Sequence, residues 1–182
     1  MKRRIYGLEN EYGIIYSSQG ARTSSTEKAV RYLFEELATV EGHLNAFLEN
    51  GARFYLDTGS HPEYATPECA SPHDVVAYDK AGERILEGLL SCTEVKLREE
   101  GLVGSLYIYK NNTDSVGNSY GCHENYLVSR SVDFYQLAEQ LIPFLVTRQI
   151  FCGAGRYVRD KNGISFHLSQ RAPYIRQELS GT

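Results

Sequence analysis

The sequence predicts an α+β fold, an antiparallel or mixed β-sheet with helices packed on one face. Three observations carry this. Segments with strand alternation come in pairs between helical segments, in the order β-α-β-β-α-β-β-α-β-β, whereas a doubly wound parallel sheet alternates one strand with one helix. The 182 residues are 42% hydrophobic and 23% charged, the balance of a globular chain long enough to bury a real core. No apolar run approaches the ~18 residues of a membrane span. Lys plus Arg is 19 against 23 for Asp plus Glu, and the resulting −4 argues against nucleic-acid binding by bulk charge.

Taken in order, segment 4–16 has strand composition at both ends and reads as the first strand. Segment 26–40 opens on Thr26 as an N-cap and carries Val30, Leu33, Phe34 and Leu37 at helical spacing. Residues 52–57 alternate as a strand, 57–60 read as a turn, and a short extended piece at 61–66 is closed by Pro67. Ser71-Pro72-His73-Asp74 is a helix start, with a cap, a proline at the first position and an acid in the first turn. That helix is expected to reach Glu100 and stop at Gly101. Strands are expected at 104–110 and 119–128, around a loop at 111–118. Residues 132–150 read as helix, with Pro143 either kinking it or starting a second one. A last hairpin, 155–159 and 164–169, turns through Asp160-Lys161-Asn162-Gly163. No linker or repeat marks a domain boundary.

Met1-Lys2-Arg3-Arg4 is followed by a strand-like segment containing Glu9 and Glu11, which does not fit a signal peptide. Cys69, Cys92, Cys122 and Cys152 are widely spaced, with no Cys-x-x-Cys, and read as reduced cysteines of a cytoplasmic protein. No P-loop and no nucleophile elbow occurs.

The chemistry concentrates on the strands. On the first, Gly7, Glu9, Glu11 and Gly13 share one face, the two acids roughly 7 Å apart. The two glycines would let a ligand approach the backbone. Glu-x-Glu alone equally describes a solvated face. The next strand puts Arg53, Tyr55 and Asp57 on one face and Phe54 and Leu56 on the other, and His61 and Glu63 share a face in the returning piece. If these pieces pair beside the first strand, Glu9, Glu11, Asp57 and Glu63 line one open surface. Like charges that close repel, and Mg²⁺, which takes oxygen ligands and brings substrate phosphates, resolves the conflict. Arg53 on that face suits a phosphate or carboxylate, so the constellation is one of phosphoryl transfer. His123 and Asn125 are in phase with Ser119 and Gly121. His123 reads equally as an ordinary histidine bonded to a neighbour, and His43 and His73 read as structural.

Several stretches resemble the Pup ligase family: Arg3-Arg4-Ile5-Tyr6-Gly7-Leu8-Glu9-Asn10-Glu11-Tyr12-Gly13, Asn50 to Asp57, Gly59-Ser60-His61-Pro62-Glu63-Tyr64-Ala65-Thr66-Pro67-Glu68-Cys69, Asp79 to Arg84, Lys110 to Asp114, Ser119-Tyr120-Gly121-Cys122-His123-Glu124-Asn125-Tyr126-Leu127 and Pro143 to Gln149. The resemblance covers nearly the whole chain and implies a glutamine-synthetase-like ligase core. Residues 1–182 would then be the N-terminal part of the catalytic domain, because family members continue well beyond Arg171. Exposed apolar residues are therefore expected near the last hairpin, around Ile164, Phe166 and Leu168.

The same family holds the Pup deamidase/depupylase, a hydrolase on the same fold. The short segment between the first strand and Arg53, the spelling of 56–61, and Cys122 before His123 resemble the ligase branch. An inactive fragment is the third alternative. For a ligase the resemblance implies ATP and Mg²⁺, with the modifier Pup and lysine-bearing proteins as partners. The side chain of Pup's C-terminal glutamate would be phosphorylated, then joined to lysine by an isopeptide bond, marking proteins for the bacterial proteasome. By motif match, Glu9, Tyr55 and Glu63 belong to the metal site, Arg53 and Thr66 to the nucleotide site, and Asp57 is the catalytic base.

Overall fold

The computed structural model describes residues 4–18, 21–22, 26–37, 44–57, 61–114 and 117–179. They fall into two compact units, Met1–Asn111 with Tyr120–Leu127, and Asn112–Ser119 with Val128–Thr182.

The first unit contains β1 (Tyr6–Glu11), β2 (Gly13–Ser18), β3 (Ala21–Arg22), α1 (Thr26–Glu35), β4 (Asn45–Phe47), β5 (Arg53–Leu56), β6 (Pro62–Ala65), α2 (Pro72–Glu99), β7 (Ser105–Tyr109) and β8 (Cys122–Tyr126). One sheet has the order β4-β5-β6-β1-β8 and another the order β3-β2-β7. Every pairing between these strands is antiparallel.

Helix α2 forms where its signals stand. The Ser71 hydroxyl accepts the Asp74 N–H at 3.1 Å, Pro72 takes the first turn, and Gly101 at φ +79° closes the far end. Its buried residues Gly82, Leu86, Leu89, Thr93 and Leu97 recur at steps of three or four and form one stripe. With Ala29, Val30, Leu33 and Phe34 of α1, that stripe covers Phe54 and Tyr64 of the larger sheet. Phe34 stacks on Phe54 with ring centroids 4.8 Å apart. At Gly82 the helix comes so close that an added Cβ would stand 2.6 Å from the Tyr64 ring.

The second unit holds α3 (Phe134–Thr147), α4 (Gln149–Cys152), β9 (Arg156–Asp160), β10 (Gly163–His167) and a 3₁₀ turn at Ala172–Tyr174. Asp133 caps α3 by accepting the Gln136 N–H at 2.9 Å. The β9–β10 hairpin turns at Gly163, whose φ of +125° suits a residue without Cβ. Ile164, Phe166 and Leu168 are exposed, as expected, and α3 buries no residue.

Several expectations shift. The first strand is two: it breaks at Tyr12, whose N–H turns to the Pro62 carbonyl at 2.8 Å, and β2 joins a different sheet. The short strands β3 and β4 were not expected. Pro143 starts no second helix but lies inside α3, and the break comes at Arg148. The rest of the first predicted helix beyond residue 37, turn residues 58–60 and His43 lie outside the described residues. No two of the four cysteines are joined in a disulfide. Among the described residues no helix is long and apolar enough to cross a membrane.

Candidate functional site

Register assembles the site. Glu9 faces His123 on β8 and Ala65 on β6, and Ala65 faces Arg53 on β5. One step along, Glu11 faces Glu63, and Glu63 faces Tyr55. Side chains directly opposite one another in an antiparallel pair share a face and stand about 5 Å apart. Two rungs therefore cross the uncovered face, His123–Glu9–Arg53 and Glu11–Glu63–Tyr55. Asp57 continues the Tyr55 phase, and its N–H donates to the His61 carbonyl at 2.9 Å, which closes the hairpin end.

The pieces do pair beside the first strand, and the acids converge on one face. One ligand atom each of Glu9, Glu63 and His123 lie within 4.8 Å of one another, and so do atoms of Glu11, Asp57 and Glu63. Glu63 belongs to both groups. It is 2% exposed, and its Oε1 has no hydrogen-bond partner. Burial pushes the Glu63 carboxyl above the usual carboxylate range, against the hydrogen-bonding pull of Tyr55, and the charges of Glu9, Asp57 and Glu11 push it further. Burial, with the charges of Glu63 and Glu9, also raises the Tyr55 phenol far above its ordinary value, so it stays a neutral donor. A buried carboxylate oxygen without a partner, among three further carboxylates, is the oxygen-rich setting a hard divalent cation takes.

His123 Nδ1 lies 3.2 Å from Glu9 and 3.9 Å from Glu63. The Arg53 guanidinium lies 4.2 Å from the Tyr55 ring centroid, and its Nε donates to Asn45 at 3.0 Å. The Thr66 hydroxyl oxygen accepts the Leu8 N–H at 3.0 Å, so one of its lone pairs is engaged with β1. Gly7 and Gly13 do not open the backbone to a ligand: a Cβ at either would meet Thr66 or Tyr120 at 3.3 Å. At Gly121 a Cβ would stand 2.4 Å from Glu11 Oε1, so a side chain there would push that carboxylate aside.

Asn10 escaped the sequence reading. It is 2% exposed on the covered face, between the two acids of β1. Its Nδ2 donates to Asp79 at 2.9 Å, and its Oδ1 accepts the Cys122 thiol at 3.2 Å. Asp79 also takes Lys110 at 2.6 Å. The strand is thereby tied to α2 and β8 directly behind Glu9 and Glu11. The signal was present: Asn10 is a polar residue in the inward phase of Tyr6 and Leu8.

The family described as Pup-ligase protein matches residues 4–182. A Pup–protein ligase of Kribbella flavida and another of a Nocardioides species are each 56% identical over 180 residues, which is 99% of this chain and 40% of each relative. The chain thus spans about 40% of the length of these curated relatives. A crystal structure of the complex between the Prokaryotic Ubiquitin-like Protein Pup and its ligase PafA superimposes with a TM-score of 0.89 at 41% identity, over 95% of this chain and 35% of that one. PafA in complex with ADP gives 0.68 at 41% identity, over 87% of this chain and 35% of that one. Matched by that family's model over residues 4–182 and 56% identical to these ligases over 99% of its length, the chain belongs to the Pup-ligase family.

Proposed function

We propose that this chain carries the metal and catalytic half of an ATP-dependent Pup–protein ligase. The observation that carries the reading is the buried Glu63, with Oε1 unpartnered among Glu9, Glu11 and Asp57. Glu9, Glu63 and the Tyr55 oxygen would hold Mg²⁺. Bound there, the ion offsets the crowded negative charge and orients the nucleotide phosphates. Arg53 would meet a phosphate, and Thr66 the nucleotide.

In the first step an oxygen of Pup's C-terminal glutamate side chain attacks the γ-phosphorus of ATP, and ADP leaves. In the second a lysine amine attacks the acyl carbon, phosphate leaves, and the amine proton passes to Asp57. Free lysine has a pKa of about 10.4, so almost none is nucleophilic at neutral pH, and a carboxylate within reach supplies the missing base. The product is an isopeptide-linked Pup, which would mark its carrier for the proteasome in the cytoplasm.

The test is incubation of the intact ligase with ATP, Mg²⁺, Pup ending in glutamate and a lysine-bearing protein. Conjugates together with ADP support the reading. Release of Pup from preformed conjugates without new conjugation would instead assign the hydrolase activity of the sister branch, and neither product would leave a binding role.

A further inference from the structure

Glu9 and Glu11 stand on the open face of β1, and Asn10, the residue between them, points the other way, toward α2. Its hydrogen bonds fix its orientation. The ionised Asp79 carboxylate only accepts, so Asn10 turns its Nδ2 to Asp79 Oδ1 at 2.9 Å, and its Oδ1 then faces the Cys122 thiol at 3.2 Å. Asp79 is held in turn. Lys110 Nζ donates to it at 2.6 Å and to Glu83 at 3.1 Å, so the carboxylate has its counter-charge beside it behind the sheet. A side chain as short as that of Asp79 reaches β1 because the helix is close. Gly82, one turn further along α2, lies against the Tyr64 ring, and Tyr64 is the neighbour of Asn10 on β6.

The ladders to β6 and β8 hold β1 within the plane of the sheet. The crowded acids act across that plane: the charges of Glu9, Asp57 and Glu11 press on Glu63 from the open face, and β1 ends there, at Glu11. A hold perpendicular to the sheet has to come from behind, and Asn10 supplies one at the residue that both acids of β1 flank. We propose that Asn10 and Asp79 are a positioning pair. Their hydrogen bond, anchored by Lys110, fixes the height of β1 over α2 and with it the place of the Glu9 carboxylate in the Mg²⁺ site. Neither side chain touches the ion or the nucleotide, and both act through the strand. The inference rests on the metal-dependent reading above.

Mn²⁺ serves as the probe, its binding to the intact ligase followed by the loss of the free-ion paramagnetic resonance signal, with no substrate present. Asn10→Ala and Asp79→Ala should each weaken binding about tenfold, the low end of the usual effect of losing a partner outside the ligand set. Because the two side chains act through one bond, the double variant should bind no more weakly than the weaker single one. Asp79→Asn keeps an acceptor for Asn10 Nδ2 and should stay within about threefold of the wild type. Leu97→Ala, at the far end of the same buried stripe, should lower the urea midpoint and leave Mn²⁺ affinity unchanged. Wild-type affinity in a folded Asn10→Ala overturns the proposal. So do fully additive losses in the double variant, an Asp79→Asn as weak as Asp79→Ala, and a Leu97→Ala that loses as much affinity as Asn10→Ala. If Asp79→Ala does not fold, Asn10→Ala, which leaves the Asp79–Lys110 pair in place, decides together with Asp79→Asn. A wild type that binds no Mn²⁺ while Pup conjugation proceeds in chelator brings down the metal reading and this one with it. A wild type that binds Mn²⁺ and is matched by Asn10→Ala brings down this one alone.

Discussion

The two faces of the five-stranded sheet are built from alternate residues of the same strands, yet they obey opposite rules. On the covered face Phe54 and Tyr64 are fully buried under α1 and α2, and the polar residue Asn10 has its side-chain groups matched to Asp79 and Cys122. On the open face Glu63 is as buried as they are, but one of its oxygens has no partner and three carboxylates stand near it. The covered face is chiefly apolar, with Thr93 Oγ1 of the α2 stripe also buried without a hydrogen-bond partner. The other leaves a carboxylate oxygen unsatisfied, which costs the metal-free chain stability and equips it for a ligand. Substitutions on the open face should change chemistry with little effect on folding, and those of apolar residues on the covered face the reverse.

The largest separation is expected at Asp57. Asp57→Asn in the intact ligase should slow lysine transfer about 10²–10⁴-fold and largely keep Mg·ATP binding and the unfolding midpoint. ADP formation and conjugate formation, followed independently, check it. Transfer near the wild-type rate would leave Asp57 a structural acid. Its counterpart beneath the sheet is Phe54→Ala, which removes a ring stacked on Phe34. It should cost about 3–5 kcal/mol in urea unfolding. A loss under about 1 kcal/mol would show that the covered face is not the stabilising one.

A smaller effect is expected at Gly82. Alanine favours a helix over glycine by about 1 kcal/mol, but here its Cβ would enter the Tyr64 ring. The clash should win, with a net loss of about 1–3 kcal/mol. A stabilised Gly82→Ala would mean that α2 can lift from the sheet freely.

The smallest effect sharpens the comparison on the open face. The folded-state pKa of Glu63 is raised above its unfolded value, so the folded chain binds that proton more tightly. Without metal, stability is then greatest below the ordinary glutamate pKa of about 4.3 and falls as pH rises through the raised value. Glu63→Gln should remove that part of the pH dependence and leave the chain at least as stable at neutral pH, while weakening Mg²⁺ binding. Urea midpoints between acid and neutral pH in chelator measure it, and an unchanged pH slope in Glu63→Gln would assign the dependence to other groups.

Much of this arrangement was legible in the sequence. Period-two alternation put Glu9 and Glu11 on one face and Arg53, Tyr55 and Asp57 on another, and Ser71-Pro72 and Gly101 bounded α2. Which faces coincide was not legible from alternation, because the neighbours of β1 come from strands about 55 and 115 residues away, and register between distant strands leaves no mark in a single sequence. The motif resemblance, not the periodicity, tied those residues to one site. The break at Tyr12 was hidden because the alternation of Tyr6, Leu8, Tyr12 and Ile14 runs through it and no proline marks it. Strands β3 and β4 are too short to show a period. Asn10 was passed over because a polar residue on an inward phase reads as an interruption until its partners on α2 and β8 are known.

Helix α3 carries a consequence for anyone handling the protein. Phe134, Tyr135, Phe144 and Val146 stand in water, as do Ile150 and Phe151 of α4. Such a surface should make the chain's solution behaviour depend on how much of it is present. Dilute, it should bind apolar dyes. Concentrated, it should self-associate, and sulfate or phosphate buffers, which strengthen apolar association, should bring that on sooner than chloride.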